Sequence, residues 1–305
     1  MLQESTTIRT EVSSHRLAGV TELMEARPLK EGQESEVIEF LSQRPIHTVA
    51  MISLIQDNGL ENALNRGTFY GCRDLNGQLE GVALVGHATL METVSDRALR
   101  TLARVARDYS STHMIMGEQD RVAEFWTSYA ETGREPRLAC REWLMELKST
   151  SNSAQRVSNL RLATEEELEL VMPIQAQLAM QESGVDPMRS DPKGFRNRCL
   201  RRISQGRTWV VVENGSLIFK ADVISETPDV IYLEGIWVKN DRRNCNTGSL
   251  CLTELSRRLL VRTNSICLLA NELNLSALAF YRKCGFQFRA TYETIFLTQK
   301  ESLVH

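Results

Sequence analysis

The stretch Asn274-Leu275-Ser276-Ala277-Leu278-Ala279-Phe280-Tyr281-Arg282-Lys283-Cys284-Gly285-Phe286 decides how this chain is read. It reads as a short helix closed by Gly285, a residue that readily supplies the left-handed turn after a helix. Phe286 then opens a strand that runs to Leu297. Successive helical residues lie about 100° apart. Asn274, Ala277 and Tyr281 therefore share one side of the helix, with Phe280 at its edge. On periodicity alone this is an amphipathic helix with a glycine cap, its tyrosine packed against a sheet.

The elements before it follow a definite order. Leu160–Ala163 reads as a short strand, and Thr164 caps a helix that opens on Glu165, Glu166 and Glu167. A second helix covers 194–204. Strands over 207–212 and 217–223 flank Asn214-Gly215, a strong hairpin turn. A strand over 231–238 leads into the loop 239–249 and a helix to about Arg262. A strand over 266–270 precedes the Asn274 helix. The N-terminal half shows a looser version of the same series. Helices are expected near 37–41 and 49–55, and strands over 68–72 and 81–85 flank a second Asn-Gly pair, Asn76-Gly77. A helix near 95–108, a strand at 113–116, a helix at 121–129 and a strand at 141–147 complete it. Setting Phe125 against Phe280 matches Gln119 with Asn274, Val122 with Ala277 and Trp126 with Tyr281, as a repeat of domain size would.

The polar run Lys148–Gln155 divides the two series. The expected organisation is a flexible segment 1–22, a first domain 23–147, a linker 148–157 and a second domain 158–305. Apolar content of 42% and charged content of 25% are ordinary for a globular protein, and a net charge of −3 gives no basic field for nucleic acid. No apolar run is long enough to span a membrane, and the first residues lack the apolar core of a signal peptide. Seven cysteines, an odd number without paired metal spacing, fit reduced thiols in a cytoplasm. Cys245 and Cys251 have no histidine partner nearby, so no zinc site is expected. The histidines are scattered and suggest no catalytic triad.

The pattern N-x-x-A-x-x-F-Y-x-x-x-G-F at 274–286 resembles the late helix of the GNAT acyltransferase superfamily. The order of elements in the C-terminal half is that of a GNAT domain, an α/β fold on a mixed sheet. The whole chain is similar to bacterial two-domain proteins with a degenerate GNAT-like domain ahead of an acetyltransferase domain. The N-terminal half has no phosphate loop, and the match above puts a tryptophan where the acid would stand. The resemblance implies acetyl-CoA as co-substrate and no metal. It implies an amine acceptor, small molecule or protein, with the chain a monomer or homodimer. In that family Tyr281 would protonate the leaving thiolate, and Asn274 and Phe280 would lie along the pantetheine arm.

The loop Lys239-Asn240-Asp241-Arg242-Arg243-Asn244-Cys245-Asn246-Thr247-Gly248-Ser249 resembles the family's pyrophosphate loop, with Arg243 at its first position and Gly248 at its last. A strand, a tight loop and a helix N-terminus aim amides and a helix dipole at an anion. Asn244 and Asn246 replace glycines. Asparagine tolerates left-handed backbone better than other residues with a side chain, but its amide crowds the anion. The plain alternative is an Asn-rich helix cap.

Alternation in the strand before the loop places Glu234 on the face of Tyr232, Ile236 and Val238. The resemblance implies that backbone at Ile236, Trp237 and Val238 binds the co-substrate and that Glu234 deprotonates the amine. A structural carboxylate paired with an arginine is the alternative. Glu182 and Asp186, expected after the first helix of the second domain, are candidate acceptor contacts or simple loop residues. Catalytic transfer, a catalytically weak CoA-binding scaffold, and transfer of a larger acyl or aminoacyl group between tandem domains all fit these features.

Overall fold

The structure is a computed structural model, and it describes residues 24–150 and 156–298. The expected segment 1–22 and most of the expected linker lie outside the described residues. The N-terminal half runs β1 (Ala26–Pro28), α1 (Glu34–Leu41), α2 (Pro45–Asn58), β2 (Gly67–Arg73), β3 (Leu79–Gly86), β4 (Ala88–Thr93), α3 (Asp96–Arg107), β5 (Met114–Glu118), α4 (Gln119–Tyr129) and β6 (Pro136–Leu147). The C-terminal half runs β7 (Arg161–Leu162), α5 (Leu168–Ser183), α6 (Pro187–Ser190), α7 (Pro192–Ser204), β8 (Thr208–Glu213), β9 (Ser216–Glu226), β10 (Val230–Val238), α8 (Thr247–Leu259), β11 (Ser265–Asn271), α9 (Leu275–Lys283) and β12 (Gln287–Leu297). Apart from the single-turn α6, the two orders are the same. The strands β1 and β4 carry no clear alternation and were not expected from the sequence.

All twelve strands form one sheet, in the order β1-β2-β3-β4-β5-β12-β6-β11-β10-β9-β8-β7. The order is palindromic if each strand is matched to its counterpart in the other half. Each half has one parallel pair, β4 with β5 and β10 with β11, and every other neighbour is antiparallel. The halves exchange their last strands. β6, which closes the first half in sequence, pairs with β11 of the second, and β12 pairs with β5 of the first. β6 and β12 also pair with each other from Gln287 opposite Glu146 to Leu297 opposite Pro136. β6 is longer than the strand expected at 141–147 because its first five residues find this partner.

Burial follows the strand period. In β3, Val82 and Leu84 face α1 and α2, while Ala83 and Val85 face α3 and α4. In the second half α5 and α7 cover one face, and α8 and α9 cover the other. α2 reaches across the boundary: Val49 shares a core with Tyr232, Cys267 and Tyr292. Ser53 Oγ accepts from the amide of Glu226, and Asp57 pairs with Arg207. Local signals start the helices. Thr164 and Glu167 form the reciprocal box expected of them, and Ser95 caps α3 through the amide of Ala98.

Candidate active site

β10 and β11 pair in parallel from Val230–Ser265 only as far as Leu233–Leu268. β10 then continues to Val238 without that partner, while β11 stays paired with β6 from Ile266 through Asn271. The two strands splay, and backbone groups of β10 beyond Leu233 are left along the gap.

A bulge sets the shape of this edge. Glu234 is opposite Asp222, but Trp237 is opposite Lys220, so β10 carries one extra residue. Gly235 absorbs it at φ 59°, and a Cβ there would sit 2.8 Å from Lys220 Nζ. Beneath the bulge lies a buried polar network. Lys220 Nζ, with no exposed surface, donates to Asp222 at 2.6 Å, Gln175 at 2.7 Å and the carbonyl of Gly235 at 3.3 Å. Arg202 and the hydroxyl of Thr208 complete the contacts of Asp222 at 3.0 and 2.8 Å. Burial opposes the charge on Asp222, yet Lys220 and Arg202 hold it below the usual carboxylate range.

The bulge corrects the expected facing. Glu234 remains on the side of Tyr232, whose phenol its charge, after burial, helps to keep protonated. The extra residue turns Ile236 and Val238 to the opposite side, against the core under α8 and α9. Trp237 packs with α5 and α7.

The loop that follows keeps the shape expected of glycines. Asn244 and Asn246 stand at φ 59° and 63°. Asn246 caps none of the amides at the start of α8; its Oδ1 accepts from Lys283 at 3.0 Å instead. The first-turn amides of Thr247, Gly248 and Ser249 are thus uncapped by it, with a lysine ammonium beside them. Arg243 is pinned back by its Nε on the carbonyl of Val238 at 3.0 Å, and Cys245 is exposed. Gly248 is buried: a Cβ there would meet Val238 at 2.9 Å and Phe280 at 3.2 Å. It serves close helix–strand packing as well as the loop.

Across the gap, α9 presents Phe280 and Tyr281, with ring centroids 5.3 Å apart. Asn274 caps α9, its Oδ1 accepting from the amide of Ala277 at 3.1 Å and from Ser276 at 2.9 Å. Only its amide nitrogen is left for a ligand. Burial, and then the charge of Glu182, raise the pKa of Tyr281, so its phenol keeps its proton at neutral pH.

Three carboxylates act on one another at this cleft, and one of them, Glu182, acts on the phenol. Glu182 lies at the end of α5 with one side open to solvent. Surrounding protein, then Glu234 and Glu142, push its pKa up to about 8 against a weaker pull from Lys220. Glu142 belongs to β6, and so reaches this cleft from the other half of the chain. Burial raises its pKa, the Thr294 hydroxyl opposes this by donating at 2.7 Å, and Glu234 adds to the rise. Nothing in the sequence pointed to Glu142, because only the strand exchange brings it here. Lys220 and Asp222 did leave a signal: two charges at i and i+2 on the inward side of an apolar strand. Asp186 has a different task, accepting from the amide of Met188 at 2.9 Å to start α6.

A splayed parallel pair, an amide-lined loop entering a helix, and a tyrosine on the next helix are now in place. Residues 204–288 match the family model described as an acetyltransferase (GNAT) domain. Those residues form a GNAT-type domain, and the chain as a whole has a GNAT fold. Its fold is similar to that of a protein from Drosophila, with a TM-score of 0.66 at 12% identity over 90% of this chain and 99% of that one. A GCN5-related N-acetyltransferase from Sphaerobacter thermophilus gives 0.56 at 10% identity, covering 90% and 95%. A tandem GNAT protein from the clavulanic acid biosynthesis pathway gives 0.54 at 12% identity, covering 89% and 98%. No curated protein matches the chain. As a tandem GNAT fold, it carries this set of features complete only in its second half.

Proposed function

We propose that the chain transfers an acetyl group from acetyl-CoA to an amine by direct attack at the β10–β11 cleft. The gap opened beyond Leu233 and Leu268, with the α8 amides at one end and the Tyr281 phenol across it, is the observation that carries this reading. The amides from Asn244 to Ser249, with Lys283 beside them, would hold the diphosphate. Backbone from Ile236 to Val238 and the amide of Asn274 would line the arm.

The acceptor amine attacks the thioester carbonyl, and the carbon–sulfur bond breaks. Tyr281 gives its proton to the departing thiolate, and a carboxylate takes the proton lost by the amine. Glu234, on the strand edge, is the assigned base. Glu182, with a pKa of about 8, is suited to relay that proton outward. The three carboxylates favour a cationic amine over a neutral one before deprotonation. The left-handed Asn244 and Asn246 preserve the loop, and Tyr281 favours transfer over a scaffold role.

The test is calorimetry with acetyl-CoA, followed by CoA release across a panel of amines. Binding at micromolar to sub-millimolar concentration and release with at least one amine class are expected. No heat at millimolar acetyl-CoA would overturn the reading.

A further inference from the structure

A separate cluster of basic side chains lies at the start of β4 and β5, at the opposite end of these strands from their own splay. Backbone hydrogen bonds tie three residues side by side. The amide of His87 donates to the carbonyl of Arg66 at 2.9 Å, and the carbonyl of His87 accepts from the amides of His113 at 2.9 Å and Met114 at 3.1 Å. The rings of His87 and His113 stack at 4.9 Å, inclined by 10°. Phe296 closes the far side of His113 at 5.9 Å. His113 Nδ1 is shut from solvent and finds no hydrogen-bond partner among the described residues.

Further charge comes from the second half and from β6. Arg198 on α7 acts on both Arg66 and His87, and Arg137 on β6 acts on His113 from above the Phe296 ring. Arg137 also donates to the carbonyl of Ser183 at 2.7 Å. One carboxylate faces the group, Asp191, and Arg198 already holds it at 2.9 Å. Arg66 carries no ion pair or side-chain hydrogen bond among the described residues. The sum is an excess of positive charge around an unpartnered ring nitrogen. Burial, then Arg66, His113 and Arg198, push the pKa of His87 down to about 4.

We propose that Arg66, His87, His113 and Arg198 form a binding site for a compact oxyanion, a phosphate or carboxylate group, at the junction of the two halves. Planar guanidinium groups from both halves flank it, and His113 Nδ1 gains the hydrogen-bond partner it lacks. An anion there ties α7 to the β3–β4 corner. The site depends on neither acetyl-CoA nor transfer.

The experiment is a histidine-ring NMR titration of the full chain with potassium phosphate against potassium chloride at equal ionic strength. The His87 and His113 resonances, assigned by His87→Gln and His113→Gln, should move saturably, and the His87 midpoint should rise by roughly one pH unit. His47, whose Nδ1 is 2.9 Å from the Tyr292 hydroxyl, should not respond. Arg66→Asn, which suits the φ of 54° at this position, should weaken phosphate binding about tenfold or more. Arg198→Gln repeats the test from the second half should Arg66→Asn fold poorly. Phosphoethanolamine and ethanolamine separate the sources. An acceptor-borne anion predicts tighter binding of the phosphorylated amine than of phosphate, and a free anion predicts equal binding. No saturable shift at tens of millimolar phosphate, or an equal shift in both arginine variants, overturns the proposal.

Discussion

The molecule contains two splayed clefts related by the palindromic sheet, and they differ in what fills them. In the first half β4 and β5 pair only to Leu90–Met116, and then part as β10 and β11 do. Each gap receives a side chain from the exchanged strand of the other half: Glu142 of β6 enters the second cleft, and Tyr292, its partner in register, enters the first. The first cleft keeps only a small cavity of about 40 Å³, crossed by polar contacts. Arg44 reaches Glu118 at 2.7 Å and Glu92 at 3.2 Å, and His47 Nδ1 is 2.9 Å from the Tyr292 hydroxyl. Only Val94 and Ser95 separate β4 from α3, so there is no loop to cradle a diphosphate. The caps and buried positions of α4 and α9 agree when Glu118 is set against Asn274 and Val122 against Leu278. That frame is one residue from the sequence match and puts Phe125, not Trp126, opposite Tyr281. The same backbone opening therefore serves as a plugged structural joint in one half and a candidate catalytic gap in the other. The difference lies in a few side chains and in a connection of eight residues, 239–246, where the first half has two, not in topology.

The sharpest way to break this contrast is at the phenol. Tyr281→Phe should lower turnover by roughly 10²-fold or more with little change in acetyl-CoA affinity, since one hydroxyl contributes about 1 kcal/mol. Wild-type turnover in that variant would remove the chemical distinction between the clefts. Arg44→Met probes the other side. It should lower stability to denaturant by about 1–2 kcal/mol, since Glu92 is buried beside it, and leave acetyl-CoA affinity unchanged. A large loss of affinity would mean that the first cleft takes part in binding.

The pH profile should separate the carboxylates. If Glu182 must be ionised to pass on the proton, kcat should rise through about pH 8, and Glu182→Gln should flatten that limb with a loss of about tenfold at its top. Its raised pKa carries a linked effect on stability. Between the unfolded value and about 8 the folded chain binds the extra proton, so this group's contribution to stability declines as pH rises across that window and is constant above it. The limb persisting unchanged in Glu182→Gln would assign it to Glu234 or to the amine. The smallest effect is expected in the loop. Asn246→Ala should cost about 1 kcal/mol of stability, and Asn246→Gly close to none, because φ is 63° there. Equal costs would show that the Asn246–Lys283 contact, not the backbone, sets the preference.

The sequence by itself determined the local devices. The Asn274–Phe286 pattern, the two Asn-Gly hairpins, the Thr164 box and the left-handed asparagines each depend on residues within a few positions of one another, where backbone preference and side-chain capping act directly. Tyr281 and the loop were legible for the same reason. Tertiary structure alone decided the rest. The exchange of β6 and β12 turns on pairing between residues 141 to 161 positions apart, such as Gln287 with Glu146 and Leu297 with Pro136, and strand periodicity does not encode a partner. The exchange carries Glu142 into the second cleft and Tyr292 into the first. The bulge at Gly235 likewise follows from the lysine and aspartate buried beneath it. One inserted residue reverses the side-chain alternation on which the reading of Ile236 and Val238 relied.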